Sequence, residues 1–255
     1  MDPALFDLNA EIEQSHWWFS ARRDIMRAVL GRVMPPDSKL VVDVGCGTGA
    51  NIAALTDRYE CAGIDPSEVA VDHARRRFSD VQFLHGIAPA GLGDLAGRAD
   101  TYLLMDVLEH VEDDRGLLTD LVDTLRPGGH IFITVPADMR LWTEHDVSHG
   151  HYRRYDPELL RSVWDGLPVT ERLVSHYNSR LYPIVRAVRA VSKRRGHAGG
   201  EEGSDLSMPM RPANAVLRRI FGGERRRILG AIDAPGRGYR RGVSLIAVLR
   251  REVDG

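Results

Sequence analysis

The sequence has very little of two residue types that mark large classes of protein. Among its 255 residues there are only two cysteines, Cys46 and Cys61, and only two lysines, Lys39 and Lys193. So few cysteines argue against a disulfide framework and are typical of free thiols in a cytoplasmic protein. So few lysines leave almost no position for a mechanism that depends on a catalytic lysine.

Long apolar runs are also missing. No stretch approaches the roughly 20 residues that a helix needs to span a bilayer. No basic segment followed by an apolar one opens the chain, as a secretory signal would. We therefore expect a cytoplasmic protein. The hydrophobic content of 43% still supports a sizeable core, and 255 residues suit one α/β domain with additions.

Charge is nearly balanced overall, at −2, but it is uneven along the chain. Residues 1–179 carry 17 Lys and Arg against 29 Asp and Glu, whereas residues 180–255 carry 17 against 7. Such a basic C-terminal quarter could meet nucleic acid, anionic lipid or an acidic partner. We favour the simpler interpretation, in which it pairs with the acidic remainder of the chain.

One stretch organises the chain, namely VVDVGCGTGA at residues 41–50. Its apolar run, interrupted by Asp43, predicts a buried parallel strand. Gly45, Gly47 and Gly49 follow at alternate positions, and helical spacing begins after them. Strand, glycine-rich turn and helix together bring backbone close to a ligand because no side chains intervene. The pattern indicates a nucleotide-type cofactor site.

Strands and helices alternate along the rest of the chain. We expect strands at 39–45, 60–65, 81–85, 101–105, 130–137, 168–177 and 243–251. We expect helices at 4–33, 49–59, 66–77, 114–125, 156–164, 179–195 and 213–232, and Ser20 is the expected cap within the first. We expect a loop at 138–155 and a mobile loop at 196–205. The alternation predicts an α/β, Rossmann-like fold with a seven-stranded, mostly parallel sheet and helices on both faces.

We expect a single domain with four parts. They are an N-terminal helical lid at 1–36, a core at 37–178, a helical insertion at 179–241 and the last strand at 242–255.

The glycine motif alone does not choose a cofactor. Gly45, Gly47 and Ala50 also satisfy the G-x-G-x-x-A pattern of dinucleotide sites. Asp65 ends the second strand, where a carboxylate can accept hydrogen bonds from both ribose hydroxyls of NAD or of S-adenosyl-L-methionine (SAM). Asp43 favours SAM, because it can orient the turn and reach the amino-acid part of that cofactor through water.

Four motifs, in order, resemble those of class I SAM-dependent methyltransferases. They are DVGCGTG at 43–49, GIDPS at 63–67, MDVLEHV at 105–111 and LRPGGHIFITVP at 125–136. EQSHWWFSARR, the HDVSHGHYRRY loop and the closing GVSLIAV are similar to a bacterial subfamily of small-molecule and ubiquinone-pathway O-methyltransferases. The resemblance covers residues 11–250 and implies SAM as cofactor, with S-adenosyl-L-homocysteine as product.

The resemblance also implies roles in cofactor binding. Gly45 would let the backbone approach the methionine part, Met105 would pack against adenine or methionine, and Arg22 (with Arg23 close behind) would bind the cofactor carboxylate. The family usually has Gly-Asp-Ala after the third strand, but here Ile87 replaces the acid and offers only its backbone N–H to adenine. The expected cofactor residues are Arg22, Asp43, Gly45, Cys46, Gly47, Gly49, Asp65, Pro66, Ile87, Met105, Asp106 and Val107.

Methyl transfer is an in-line displacement at a sulfonium carbon. The enzyme must hold the acceptor about 3 Å from the methyl group and help to remove the proton of a hydroxyl. A histidine is the natural base near neutral pH. His110, after the fourth strand, is the first candidate and His151 the second. His110 could instead be a helix-start residue packed against Trp or Arg.

The residues Asp106, Glu109 and His110 are similar to a divalent-metal site in ubiquinone-type relatives, and two carboxylates with an imidazole would suit such an ion. Glu109 more often caps a helix, however, and we expect no metal.

Two segments are candidates for the acceptor site. His16-Trp17-Trp18-Phe19 either anchors the N-terminal helix on the domain or forms a lid over cofactor or acceptor. The loop at 138–155 is rich in histidine, and we favour an acceptor-site wall over a metal site or a loop that packs against the lid by salt bridges. The expected substrate-binding residues are Trp17, Trp18, His145, His149, Tyr152 and Arg153.

The sequence thus predicts O-methylation of a small natural product or sugar-like metabolite in secondary metabolism, with N-methylation as an alternative. A membrane-associated enzyme for a lipidic or quinone-type acceptor comes second, because helix 179–195 is basic and amphipathic. We expect no nucleic acid partner, since a separate RNA-binding module is missing. The lack of a Tyr-x-x-x-Lys pair argues against an NAD-dependent oxidoreductase. A homodimer is compatible with the lid helices.

Overall fold

The computed structural model describes residues 12–35, 37–194 and 208–253. Across these ranges seven strands form one sheet in the order β3-β2-β1-β4-β5-β7-β6. All neighbours are parallel except β7, which runs antiparallel to β5 and β6. The strands are β1 (Leu40–Val44), β2 (Glu60–Asp65), β3 (Gln82–His85), β4 (Thr101–Met105), β5 (His130–Pro136), β6 (Val169–Tyr177) and β7 (Ser244–Arg251).

Helices precede the sheet, connect its strands and fill the segment between β6 and β7. They are α1 (Trp17–Val33), α2 (Ala50–Ala53), α3 (Glu68–Arg77), α4 (Asp114–Thr124), α5 (Glu144–Ser148), α6 (Pro157–Ser162), α7 (Tyr182–Arg194), α8 (Arg211–Gly222) and α9 (Arg225–Asp233). Short 3-10 turns lie at Ala90–Leu95, Leu108–His110 and Met139–Leu141. Across the described ranges, no helix combines the length and apolar character that a bilayer crossing requires.

The core lies on both faces of the sheet, because every residue of β1 is buried. Val42 belongs to the cluster that includes Leu121 of α4, whereas Val41 belongs to the cluster that includes Ile25 and Val29 of α1. Burying one such side chain contributes roughly 1.5–3 kcal/mol. The apolar stripe of α1 therefore holds this helix against the sheet and fixes where its polar residues lie.

The strand order reverses between β1 and β4. The chain runs outward from β1 to β3 and then returns to place β4 on the other side of β1. In open parallel sheets such a switch point opens a crevice at the carboxyl ends of the two strands. The glycine turn after β1 and the MDVLEHV motif after β4 meet there. The Rossmann-like fold, with helices before β1 and between β6 and β7, confirms the predicted class.

Two predicted details were wrong. Ser20 does not cap α1, because His16 is the cap and its Nδ1 accepts a hydrogen bond from the Trp18 N–H at 3.3 Å. The helix predicted at 49–59 ends at Ala53, because the following N–H groups, such as those of Leu55 and Arg58, bond carbonyls three residues back instead of four. The Ala54 carbonyl accepts a hydrogen bond from Arg27 of α1.

Two further predicted segments are divided differently. The helix predicted at 213–232 is two helices, α8 and α9, separated by Gly223 and Glu224; the buried Glu224 carboxylate accepts hydrogen bonds from the backbone of Ser179 and Arg180. The 138–155 loop contains α5. The beginning of the helix predicted from residue 4 and the loop predicted at 196–205 lie outside the described residues.

Candidate active site at the ends of strands β1 and β4

The glycine turn has a backbone that side chains disfavour. Gly45, Gly47 and Gly49 have φ of +70°, +52° and +86°, in the left-handed region that favours glycine. A Cβ on Gly45 would lie 2.8 Å from Val107, and one on Gly49 would lie 2.7 Å from Phe83. A Cβ on Gly47 would have no described atom within 4 Å. Two of the glycines thus allow the turn to pack, and the third borders open space.

Asp65, at the end of β2, fixes this turn. One carboxylate oxygen accepts a hydrogen bond from the Gly47 N–H and the other from the Ser67 N–H, both at 2.8 Å. Pro66 joins the strand to Ser67, which caps α3. Each carboxylate oxygen can accept a further hydrogen bond. Asp65 therefore organises the turn, a role that the sequence did not reveal, and keeps acceptor capacity for ribose hydroxyls.

Asp43 is a buried carboxyl group inside β1. Neither of its oxygens has a hydrogen-bond partner among the described residues. Burial raises its pKa to about 8, against the opposing charge of Arg22. A buried polar group without a partner is rare in folded proteins. Asp43 is therefore a buried carboxyl group at the switch point whose hydrogen-bonding capacity no described residue uses.

Arg22 enters the site from α1. Its guanidinium forms an ion pair with Asp106, just after β4, and lies 4.3 Å from the centroid of the Trp18 ring. Arg22 is only 5% exposed. Asp106 also accepts a hydrogen bond from the Thr134 hydroxyl at 3.2 Å and has a φ of +61°. Arg23, by contrast, donates to the Glu13 carbonyl. Of the two candidate arginines, Arg22 is the one at the switch point.

A second contact ties the N-terminal segment to the glycine turn. Glu13, in a helical turn at 12–15, accepts a hydrogen bond from the Thr48 hydroxyl at 2.8 Å and pairs with Arg77 of α3. Arg77 also donates to the Thr48 carbonyl. The sequence carried no signal for this contact, because its members are 29 to 64 residues apart.

The two tryptophans have different surroundings. The Trp17 backbone donates to Asn214 of α8 at 2.7 Å, and its ring meets Phe221 edge to face at 6.1 Å between centroids. Trp18 instead stacks on Arg22. Trp17 therefore anchors the segment on α8, which is one of the two interpretations of this segment. Trp18 lies beside the switch point instead.

The remaining residues expected to bind the cofactor differ in how exposed they are. Cys46 and Met105 are buried, and burial raises the pKa of the Cys46 thiol. Val107 packs against Gly45. Ile87 is 71% exposed, so its side chain points to solvent. The contact of its backbone N–H with adenine stays a prediction.

Histidines gather beyond β4. The rings of His110 and His151 are nearly perpendicular, with centroids 4.6 Å apart. His151 Nδ1 lies 2.9 Å from a carboxylate oxygen of Asp146. Burial and the neighbouring His151 lower the pKa of His110. The two candidate bases are thus brought together, and the structure gives one of them an orienting carboxylate.

The other residues expected to bind the acceptor differ in their contacts and exposure. His145 and His149 stack with centroids 3.9 Å apart, on α5 and just after it. Tyr152 is exposed, and its N–H donates to the Glu109 carbonyl at 2.7 Å. Arg153 forms an ion pair with Asp114 of α4 at 2.6 Å. That pairing directs its charge toward α4.

One member of the metal set implied by the resemblance already has a charged partner. Asp106 is paired with Arg22. Burial, and then the charge of Asp106, raise the pKa of Glu109 well above its usual range, so its carboxyl group favours the neutral form. Glu109, His110 and His151 do offer ligand atoms within 4.8 Å of one another.

The comparison with protein families decides the class of this site. A family model described as a methyltransferase domain matches residues 18–180. The chain belongs to the methyltransferase-domain family. The prediction of a class I SAM-dependent methyltransferase is confirmed.

Curated relatives of this methyltransferase include ubiquinone biosynthesis O-methyltransferases. The one from Vibrio parahaemolyticus serotype O3:K6 is 26% identical over 160 residues, which cover 55% of this chain and 68% of the relative. The one from Shewanella sp. (strain ANA-3) is 29% identical over 179 residues, which cover 63% and 74%. The motifs at the switch point lie within the part that the family model matches.

Solved structures share the fold at lower identity. The partner of the Trm112 methyltransferase activator from Haloferax volcanii has a TM-score of 0.59 and 17% identity, over 99% of this chain and 96% of that one. Geranyl diphosphate C-methyltransferase from Streptomyces coelicolor A3(2) has a TM-score of 0.57 and 15% identity, over 91% and 79%. These similarities bear on the fold and not on the acceptor.

Proposed function

We propose that this methyltransferase transfers the methyl group of SAM to a hydroxyl oxygen of a small-molecule acceptor, with a histidine as general base. The observation that carries the proposal is the pair His110 and His151 beyond β4, one strand away from the glycine turn. The acceptor would be a natural product or a sugar-like metabolite. The name of the curated relatives supports transfer to oxygen.

The cofactor would lie across the carboxyl ends of β1 and β2. Asp65 would accept hydrogen bonds from the ribose hydroxyls while it keeps its bonds to the turn. The open space at Gly47 would receive the cofactor. Arg22 would face the cofactor carboxylate and Asp43 its amino-acid part, the latter through water. Met105 would contact the methionine or adenine moiety.

The chemical step is a displacement at carbon. The hydroxyl oxygen forms a bond to the methyl carbon as the carbon–sulfur bond breaks, and the sulfonium becomes the neutral thioether of S-adenosyl-L-homocysteine. The hydroxyl proton passes to the imidazole, which then returns it to solvent. The protein contributes alignment of the two reactants and removal of this proton. An amine acceptor would need less help from a base, so N-methylation is the alternative at the same site.

The test uses SAM with an isotopically labelled methyl group and a panel of phenols, sugars and amines. We expect a labelled methyl ether by mass spectrometry, a large loss of turnover in His151→Gln, and little loss in His176→Gln, a control histidine on β6 outside the site. Methylation of amines alone would contradict the O-methyl assignment. Calorimetric titration with SAM checks that each variant still binds the cofactor.

A second candidate acceptor is lipidic, and one surface favours it. Ile184, Val188 and Val191 of α7 are 62%, 59% and 45% exposed, and their spacing places them on one side of the helix. No acidic residue occurs between Glu171 and Glu201. A basic amphipathic helix with an exposed apolar side suits an anionic lipid surface. Peripheral contact of α7 with a membrane would bring a quinone-type acceptor to the site.

Flotation with phosphatidylglycerol vesicles at low salt distinguishes the two acceptors. The lipidic candidate requires co-flotation that is lost in the double variant Ile184→Glu/Val188→Glu. It must be kept in the control Val253→Glu, because Val253 is an exposed valine outside α7. No co-flotation of the unmodified protein would end this candidate. A change of oligomeric state in the double variant would instead indicate that a second copy covers α7.

A further inference from the structure

A single buried carboxylate organises the histidine-rich loop. Asp146, on α5, is 0% exposed. One of its oxygens accepts from the Thr143 N–H at 2.8 Å and from Arg154 Nη2 at 3.0 Å. The other accepts from Arg154 Nε at 2.8 Å and faces His151 Nδ1 at 2.9 Å. Three separate points of the loop therefore converge on one side chain, which the sequence analysis did not single out.

The surroundings of Asp146 keep it ionised. Burial alone would raise its pKa, but the hydrogen bond from His151, the charge of Arg154 and the N–H of Thr143 outweigh burial and lower the pKa below its usual range. An ionised carboxylate can only accept hydrogen bonds. His151 must therefore donate from Nδ1, which leaves the lone pair of a neutral ring on Nε2.

Another side of the His151 ring contacts residues that follow β4. The ring packs edge to face on His110 and lies in the group formed with Glu109 and His110. The backbone of the next residue, Tyr152, donates to the Glu109 carbonyl and ties the loop to this strand end. A carboxylate that orients an imidazole whose far nitrogen faces the reactants is a recurrent arrangement for a general base.

We propose that Asp146 is a positioning residue, which holds His151 in the tautomer and orientation that accept the proton of the acceptor hydroxyl. This inference rests on the proposed transfer to oxygen, and it ranks His151 before His110 as the base. Arg154 completes the arrangement because its two hydrogen bonds, one to each oxygen, fix the orientation of the carboxylate.

The first test is spectroscopic and needs no acceptor. Long-range ¹H–¹⁵N correlation of histidine rings in the unmodified protein should show His151 protonated at Nδ1, with assignment from His151→Gln. Asp146→Asn should shift or mix this tautomer, whereas Asp138→Asn should not. Asp138 is a matched control, since it lies in the same loop and bonds Arg140 and Tyr182 rather than a histidine. A neutral His151 protonated at Nε2 in the unmodified protein overturns the proposal.

The second test separates positioning from a structural role. With a phenol that the enzyme methylates, Asp146→Asn should lower kcat by about 10²-fold or more, with a much smaller change in KM and an unchanged SAM affinity. With a nitro-substituted, more acidic analogue the loss should shrink, because less help from a base is needed. Equal losses for both phenols would overturn the proposal.

A double variant adds an independent criterion. If Asp146 acts through His151, Asp146→Asn should cost nothing further in a His151→Gln background. Additive losses would overturn the proposal. Failure of the proposed function is distinguishable, because it would leave the Nδ1–H signal in place while no hydroxyl is methylated. If Asp146→Asn does not fold, the tautomer of the unmodified protein still decides.

Discussion

Arg22, in the second turn of α1, forms an ion pair with Asp106 at the end of β4. The pair joins the helix that precedes the sheet to the strand at its switch point. Arg22 is buried, whereas the Asp106 side chain is 27% exposed. The N-terminal helix therefore contributes a charge to the crevice as well as an apolar side to the core. Removing that charge should affect both stability and cofactor binding.

Arg22→Met keeps most of the volume and removes the charge. We expect the free energy of unfolding to fall by about 1–3 kcal/mol, because the partly buried Asp106 carboxylate then loses its charged partner, and we expect weaker binding of SAM. Arg32→Met is the matched control, since its pair with Asp233 is exposed on both sides and should contribute about 0–1 kcal/mol. Chemical denaturation and calorimetric titration measure the two effects. Equal losses of stability in both variants would contradict the role given to burial.

Asp65→Ala should weaken SAM binding by about 100-fold, because two hydrogen bonds to a charged acceptor contribute about 1.5 kcal/mol each. The bonds to Gly47 and Ser67 lead us to expect a loss of stability as well. Asp72→Ala, on the exposed side of α3, is the control. Full affinity in Asp65→Ala would remove this residue from the cofactor site.

The features that the sequence placed correctly are local in character. β1 and β4 were predictable because both are predominantly apolar runs followed by a recognisable motif, and only Asp43 interrupts the run of β1. The contacts of Glu13 were not, because they join residues far apart in the chain. The capping box of Thr143 and Asp146 is a local pattern, but the contacts of Asp146 with His151 and Arg154 follow no such pattern. Asp146 occurs among several polar residues of one loop, and only the fold shows which of them faces His151.

Gly47→Ala tests whether the open space at the turn belongs to the cofactor. A left-handed backbone costs an alanine about 1–2 kcal/mol, and no described atom lies within 4 Å of the new methyl group. Gly166→Ala has the same features, a φ of +73° and open space, in a turn outside the site. We expect similar losses of stability in both variants but a loss of SAM affinity only in Gly47→Ala. Unchanged affinity there would place the cofactor elsewhere.

His110→Ala should lower turnover more than it lowers SAM affinity, because the residue lies beyond the cofactor end of the site. We expect a smaller loss of kcat than in His151→Gln, since no carboxylate among the described residues forms a hydrogen bond with the His110 ring as Asp146 does with His151. Steady-state kinetics and calorimetric titration of both variants give the comparison. Full activity after the substitution would exclude His110 from the mechanism, and a greater loss than in His151→Gln would reverse the order of the two bases.

His130 lies at the start of β5, at the end of the strand away from the candidate active site. It should make the free energy of unfolding depend on pH. It is buried, and its Nδ1 has no hydrogen-bond partner among the described residues. Burial, followed by the charges of Arg250 and Arg172, lowers its pKa to about 4. Between that value and the ordinary value of about 6.5, the unfolded chain binds a proton that the folded protein does not.

The free energy of unfolding should therefore fall as the pH is lowered from about 6.5 toward 4, by up to about 1.4 kcal/mol per pH unit from this residue. His130→Gln should flatten this part of the pH profile, whatever its effect on stability at pH 7.5. His85→Gln, at the exposed end of β3, is the control and should leave the slope unchanged. Denaturant titrations at half-unit steps of pH measure the slopes. Parallel profiles for the unmodified protein and His130→Gln would show that His130 takes up its proton equally well in both states.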